Sequence, residues 1–162
     1  MWSAVIVVVM AALTGFYMMP AERSRIAVEN QVAREQAESM GIYREAVMSY
    51  FAEHDVTGTS VAIAHLKNPH MLPKWSALRS ASVPWRNYRD SAGVIYIFPA
   101  AAGGRNIVNE VLALSHNSLN VGIYRAADRT LYAPADGTRV TLTGLGPGTI
   151  PDAALVWMAA RP

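Results

Sequence analysis

Four histidines are the residues best suited to metal or acid–base chemistry, at His54, His65, His70 and His116. A zinc site needs three or four converging ligands, which often lie four residues apart on one helix face. His65 and His70 are five residues apart, a proline lies between them, and no carboxylate is close in the sequence. We therefore expect ordinary polar or helix-capping histidines, with no metal and no cofactor.

Two other patterns also fail as catalytic motifs. Ser115 and His116 are neighbours, and neighbouring side chains on a helix point in different directions, so they cannot act on one another as nucleophile and base. The glycine-rich run at residues 144–148 lacks the lysine and hydroxyl residue of a phosphate-binding loop, and its proline lacks a backbone N–H. This run predicts a turn between two strands.

No pair of carboxylates stands in an obvious catalytic arrangement in the sequence. The sequence therefore predicts a protein that is not an enzyme. The alternative is an anchored or secreted hydrolase with a dispersed site of histidines and carboxylates.

Aromatic and arginine residues are concentrated between positions 75 and 89. They are Trp75, Arg79, Trp85, Arg86, Tyr88 and Arg89. The cluster predicts either a solvated face with cation–π pairs or a partner-binding surface. Because protein interfaces favour aromatic and arginine side chains, the candidates for partner binding are Trp75, Trp85, Arg86 and Tyr88.

The composition narrows the class of partner. The net charge is only +2 and the 14 lysines and arginines are scattered, so nucleic acid is not expected as a ligand. The absence of cysteine excludes disulfides and thiolate metal sites. Hydrophobic residues make up 52% of the chain and charged residues only 16%, which indicates apolar surface reserved for partners.

The first residues form an apolar run without a charged side chain from residue 2 to residue 18, and Pro20 follows it. At about 1.5 Å per residue, a helix of this length spans about 28 Å, close to the roughly 30 Å of a bilayer core. Trp2 and the pair Phe16-Tyr17 lie where aromatic rings prefer the headgroup level. The sequence predicts an uncleaved transmembrane anchor over residues 1–20.

Two alternatives to this anchor are a cleaved secretory signal, which would leave a soluble secreted domain, and a buried core helix. A signal needs a basic start and small residues before the cleavage site, and neither is clear here. The topology follows from the nearest cations, Arg23 and Arg25, which lie after the span. Taken alone, they favour a cytoplasmic body.

Residues 21–54 have the spacing of an amphipathic helix. Their first part, residues 21–38, is polar with a thin apolar seam, which suits a stalk or a coiled-coil contact between copies of the chain. Gly41 predicts a kink or break, with Ser39 as the N-cap of the second piece.

Residues 55–162 predict a soluble α+β domain. The region up to residue 84 is mostly loop, with a short strand at residues 60–64 and a short helix near residues 74–79. The β-branched and aromatic run at residues 93–99 predicts a central strand that is buried on both faces.

The C-terminal half begins with a helix at residues 106–115, for which Asn106 is the candidate N-cap. Four short strands then follow, at residues 118–124, 129–133, 139–143 and 154–159. Short turns between them predict a meander. The expected architecture is a transmembrane helix, an amphipathic helix, and a mainly antiparallel sheet with one packed helix.

This layout, with the strands at residues 93–98 and 120–122 and the closing segment at residues 150–157, resembles the small PilM family of conjugative-plasmid and type IVb pilus systems. The resemblance covers nearly the full chain. It implies a bitopic inner-membrane protein with a periplasmic body, which contacts other pilus-apparatus proteins and has no enzymatic activity. An actin-like protein of the same name is unrelated, since this chain has no nucleotide-binding loop.

A type IV pilin has a similar plan but a different N-terminus. A prepilin leader ends in glycine before a phenylalanine that starts the hydrophobic run, whereas Gly15 and Phe16 come at the end of the run here. The chain is therefore not expected to be a pilin. The topology implied by the resemblance also disagrees with the arginines at positions 23 and 25.

Overall fold

The computed structural model describes residues 2–68, 70–80, 82–101, 104–146 and 148–159, with side chains from residue 25 onwards except at residue 105. The fold is α+β, as predicted. The helices are α1 (Trp2–Glu53), α2 (Ile63–Leu66) and α3 (Val108–Leu114), and 3-10 turns lie at Ala77–Arg79 and Arg105–Ile107. The strands are β1 (Trp85–Arg89), β2 (Ile95–Pro99), β3 (Val121–Arg125), β4 (Thr130–Tyr132), β5 (Arg139–Thr141) and β6 (Leu155–Ala159).

The six strands form one antiparallel sheet in the order β1-β2-β6-β3-β4-β5. The prediction of a meander is correct for β3 to β5 but wrong for β6, which returns to lie between β2 and β3. Every residue of β6 is buried. A strand without a solvent-facing side needs cover on both faces and suits an interior position in the sheet.

Both faces of the sheet are covered over its central strands. On one face, Ile95 and Ile97 of β2 and Trp157 of β6 join the core under α1 and α3. On the other, Tyr96 and Phe98 join a second core that the β5–β6 connection closes with Leu142, Leu145 and Ile150. The prediction that β2 is buried on both faces is therefore confirmed.

Helix α1 is continuous through Gly41, so the predicted break there is wrong. A Cβ at this glycine would lie 3.8 Å from the ring of Trp157, which places Gly41 where α1 packs on β6. This packing outweighs the cost of about 1 kcal/mol that a glycine carries inside a helix. Ser39 is an interior residue of α1 rather than an N-cap.

Residues 60–64 do not form the predicted strand. Only Thr59 makes an isolated bridge, to Arg89, and the chain then turns into α2. The backbone N–H and C=O of Val61 bind the side chain of Asn87 instead of a neighbouring strand. The alternation of apolar residues in this segment thus reflects packing of a loop and not pairing in a sheet.

Within the part of the chain whose side chains are described, which starts at Arg25, no helix is long and apolar enough to cross a membrane. The predicted anchor over residues 1–20 lies outside these described residues, and it stays a prediction.

Candidate docking surfaces

Strand β1 contains three of the four residues predicted to bind a partner, and its alternation separates them. Trp85 faces α1, together with Asn87 and Arg89, and all three are buried. Arg86 and Tyr88 point to the opposite side of the sheet. The structure therefore does not bring Trp85 and Arg86 onto one surface.

Trp85 is a core residue of the helix-covered face. Its side chain is only 7% exposed, and its Nε1–H donates to the Ser39 hydroxyl at 3.0 Å. Indole N–H groups usually need such a partner when they are buried. A partner protein could reach only a small part of this ring.

Asn87 fixes the loop before α2 against both β1 and α1. Its Nδ2 donates to the Tyr43 hydroxyl at 2.7 Å and to the Val61 carbonyl at 2.9 Å, and its Oδ1 accepts from the Val61 N–H at 2.8 Å. Burial raises the pKa of Tyr43, while the Asn87 hydrogen bond partly offsets this effect. This side chain acts in place of a neighbouring strand.

Arg89 holds the end of α1 and the following loop on β1. Its guanidinium donates to the Val56 carbonyl at 3.0 Å and to an Asp55 carboxylate oxygen at 3.0 Å. It also lies over the Phe51 ring, 5.3 Å from the centroid. Buried arginines need such partners, and the cation–π contact adds to the hydrogen bonds.

Arg86 and Tyr88 lie on the face of β1 that looks away from α1. Arg86 is exposed and is opposite Phe98 in the register, whereas Tyr88 is half-buried and is opposite Tyr96. The Tyr96 hydroxyl donates to Asp90 at 2.9 Å. Burial is the largest cause that raises the pKa of Tyr96, followed by this hydrogen bond and by the Asp90 charge.

Trp75 lies in the loop between α2 and β1 and is 76% exposed. This is far above the exposure of Trp85 and Trp157, which are both 7% exposed. A large, exposed aromatic side chain is the residue type that most often anchors a partner. Trp75 is therefore more accessible than the buried Trp85 and the half-buried Tyr88.

A second apolar surface lies on α1 before it reaches the body. Residues 25–32 are all exposed, and among the described side chains of the helix, which begin at residue 25, the first buried one is Ala33. Val28 and Val32 lie four residues apart on one face and are 59% and 45% exposed. We call these eight residues the projecting segment. The polar first part of the helix was predicted to extend to residue 38. In the structure, α1 already packs on the body from residue 33.

Two of the four histidines, His54 and His65, lie against Tyr50 near the end of α1. The His54 ring stacks on Tyr50 with centroids 4.3 Å apart, and its Nδ1 lies 3.0 Å from the Tyr50 carbonyl oxygen at the end of α1. The His65 ring lies at the edge of the same cluster, 6.1 Å from Tyr50. The residues that the structure describes contain no group of three or more His, Asp or Glu placed to hold a metal.

The glycine-rich run follows β5 and leads toward β6, as predicted for a turn. A Cβ on Gly144 would lie 2.5 Å from an Asp90 carboxylate oxygen, so this glycine permits the connection to pass close to the β1–β2 turn. The connection that contains this run closes the second core.

Comparison with known proteins decides the family. The PilM family model matches residues 8–158. The chain belongs to the PilM family. No curated protein matches it. It is similar to the crystal structure of a PilM protein from Escherichia coli B7A, with 19% identity, a TM-score of 0.54, and coverage of 80% of this chain and 93% of that one.

At this identity, the likeness to the Escherichia coli PilM structure shows a shared fold. The family assignment confirms the resemblance to the pilus-biogenesis PilM proteins, as distinct from the actin-like protein of the same name. PilM membership indicates involvement in pilus assembly.

The sequence had not predicted the positions of Asn87 and Arg89, because polar residues that face a core give no apolar pattern.

Proposed function

We propose that this PilM-family chain is a non-enzymatic, membrane-anchored component of a type IV (thin) pilus assembly apparatus. Residues 1–20 anchor it in the inner membrane, and the body lies in the periplasm and acts by binding other apparatus proteins. Membership of the family and the apolar composition of the first twenty residues support this proposal.

The observation that carries the docking role is the projecting segment. Val28 and Val32 are exposed on the same helix face, next to the proposed anchor and outside the body's core. Burying a valine side chain stabilises a complex by about 1.5 kcal/mol or more. We infer that a pilus-apparatus protein, or a second copy through residues 21–54, covers this face.

The body supplies a second contact. Trp75 is 76% exposed in its loop, and Arg86 is exposed at the far side of β1. Both are residue types that dominate binding energy at protein interfaces. Trp85 and Tyr88, which are buried and half-buried, contribute to this surface mainly by holding β1 in place.

The docking role is tested by the double substitution Val28→Ser with Val32→Ser in the full chain. Assembly of pili, or conjugative transfer, should fall strongly while protein level and thermal unfolding stay unchanged, because neither valine packs in the core. The matched control is Ala27→Ser, which puts the same side chain on a neighbouring exposed position of another face. Normal assembly with the double variant would argue against this docking face.

The absence of catalysis is tested at the histidines. Alanine at His54, His65, His70 or His116 should leave pilus assembly normal. Loss of assembly at one of these positions, with unfolding unchanged, would support the hydrolase alternative.

The side of the membrane is tested by reporter fusions at the C-terminus. An alkaline phosphatase fusion should be active, because the body is proposed to lie in the periplasm. Arg23 and Arg25 favour the opposite side. An inactive phosphatase together with an active cytoplasmic reporter would contradict the proposed topology.

A further inference from the structure

One end of the sheet extends beyond its helical cover. The second core includes Tyr124 of β3 and Leu131 of β4, and Val140 of β5 packs against it. Because strand side chains alternate, their neighbours point to the opposite face. This face carries Ile123, Arg125, Thr130, Tyr132, Arg139 and Thr141, and we call it the open sheet face.

The register arranges these side chains in two rows across the strands. Ile123, Tyr132 and Arg139 form one row, and the Cα partners are Ile123 with Tyr132 and Tyr132 with Arg139. Tyr132 is 44% exposed and Arg139 is exposed, while Ile123 is half-buried at the margin of the helix-covered core. The second row consists of Arg125, Thr130 and Thr141.

A cleft of about 400 Å³ lies along these rows. It is lined by Ile123, Arg125, Thr130, Tyr132 and Arg139, and by residues 152 and 153 of the β5–β6 connection. Its one acidic side chain, Asp152, accepts a hydrogen bond from the Ala126 N–H at 2.8 Å. The walls therefore combine the Tyr132 ring and two guanidinium groups with one carboxylate, that of Asp152.

The two arginines differ in whether a carboxylate lies close to the guanidinium group. Arg125 lies 3.9 Å from Asp128, so a carboxylate already faces it. Arg139 forms no ion pair with any residue in the described part of the chain. A ligand on this face would find an unpaired positive charge at the outermost strand.

The backbone of β5 offers hydrogen-bonding groups beside this charge. The Ala133 N–H donates to the Thr138 carbonyl, and the Leu142 N–H donates to the Arg129 carbonyl. Bonded and non-bonded pairs alternate along an antiparallel ladder, so the backbone groups of Arg139 and Thr141 point away from β4. Within the described residues no other group bonds to them. Such an edge is a template for one more strand.

We propose that β5 is the docking edge for an extended acidic segment of another pilus-apparatus protein. This proposal deepens the docking role and rests on it. The segment pairs with the backbone of Arg139 and Thr141 and places a carboxylate beside the Arg139 guanidinium. Strand addition of this kind takes its affinity from main-chain bonds and its specificity from alternate side chains.

A second copy of the chain is a poorer occupant of this edge. Antiparallel pairing of two β5 strands would put both Arg139 side chains on the same face of the joined sheet, at opposite or diagonal positions. Like charges at such positions are destabilising. Arg139 therefore disfavours self-association and favours an acidic partner by the same charge.

The experiment uses the full chain in detergent micelles and a fluorescent peptide with the sequence Glu-Val-Glu-Thr-Glu-Val-Glu. Fluorescence anisotropy should show binding of this peptide, and clearly weaker binding of the version with lysine in place of glutamate. Arg139→Glu should weaken binding about tenfold or more, since a favourable charge pair becomes a repulsive one. Lys74→Glu, at an exposed lysine in the loop before β1, is the control with the same change of charge and should bind normally.

Amide hydrogen exchange separates strand pairing from a simple charge effect. The acidic peptide should slow exchange at Arg139 and Thr141, and a central proline in the peptide should abolish this protection. Any of three results would overturn the proposal. They are equal binding of the acidic and basic peptides, peptide binding that Arg139→Glu does not change, and protection of the two amides at high protein concentration without peptide. If these tests fail while Val28→Ser with Val32→Ser still prevents pilus assembly, the docking role stands and the β5 edge is excluded.

Discussion

Asn87→Ala tests how the loop before α2 is fixed to the body. The substitution removes the partner of three groups: the Tyr43 hydroxyl and the N–H and C=O of Val61. Tyr43 is 2% exposed and Val61 is 6% exposed, so water does not readily replace the lost amide. The free energy of unfolding should therefore fall.

The expected loss follows from the cost of leaving buried polar groups without a partner. Each such group costs about 1–3 kcal/mol, and neighbouring effects do not add fully, so we expect a total of about 3–5 kcal/mol. Tyr43→Phe leaves the two bonds to Val61 in place and should cost only about 1–2 kcal/mol. For a chain of this size, the larger loss lowers the melting temperature by about 10 °C.

Urea unfolding of the full chain in detergent micelles, followed by tryptophan fluorescence, measures these differences. The adjacent substitution Arg86→Ala is the control, because Arg86 is exposed on the other face of β1, and it should change stability by less than about 0.5 kcal/mol. An Asn87→Ala variant as stable as Arg86→Ala would refute the view that this side chain replaces a strand.

Three further predictions concern packing and pH, and urea midpoints check all of them. Gly41→Ala should stabilise by about 0.5–1 kcal/mol, since its Cβ would meet the Trp157 ring at an ordinary 3.8 Å, and a loss of stability would contradict this packing. Gly122→Ala should destabilise by about 2 kcal/mol or more, because its Cβ would lie 2.5 Å from the Tyr132 carbonyl oxygen, and an unchanged midpoint would count against the register of β3 and β4. The pKa of Tyr96 is raised in the fold, so its contribution is present below about pH 10 and is lost at higher pH. Tyr96→Phe should therefore lose less stability between pH 8 and pH 11 than the wild type, and equal losses would contradict this cause.

Elements with a strong local pattern could be predicted from the sequence. Strand β2 is a continuous apolar run, and α3 has its buried residues Val108, Val111 and Leu112 on one helix face. Strand β3 alternates as predicted, with Val121 in the helix-covered core and Tyr124 in the second core. In each case, the side chains that define the pattern are neighbours in the sequence.

Features that depend on distant residues could not be predicted in this way. Asn87 lies 44 residues from Tyr43 in the sequence, and Arg89 lies 33 residues from Val56. Strand β1 was missed because these polar residues face the core, where a local pattern calls for apolar ones. The insertion of β6 between β2 and β3 is also a long-range choice, since the turn before it permits either a meander or a return.

The partner-binding residues were predicted by type, and the structure adds what type cannot tell, namely accessibility. Trp75 and Trp85 are both tryptophans and lie ten positions apart, yet Trp75 is 76% exposed and Trp85 is 7% exposed. Trp85 is buried because it lies on the core-facing side of β1, whereas Trp75 lies in the loop before this strand. Their roles in binding remain predictions.

The most direct test of the central claim is extraction of membranes with alkaline carbonate after expression of the full chain. The proposal of a permanent anchor at residues 1–20 predicts that the chain stays in the membrane pellet with its N-terminus intact, and that removal of those residues releases it. Recovery of the untrimmed chain in the soluble fraction without detergent would contradict the account.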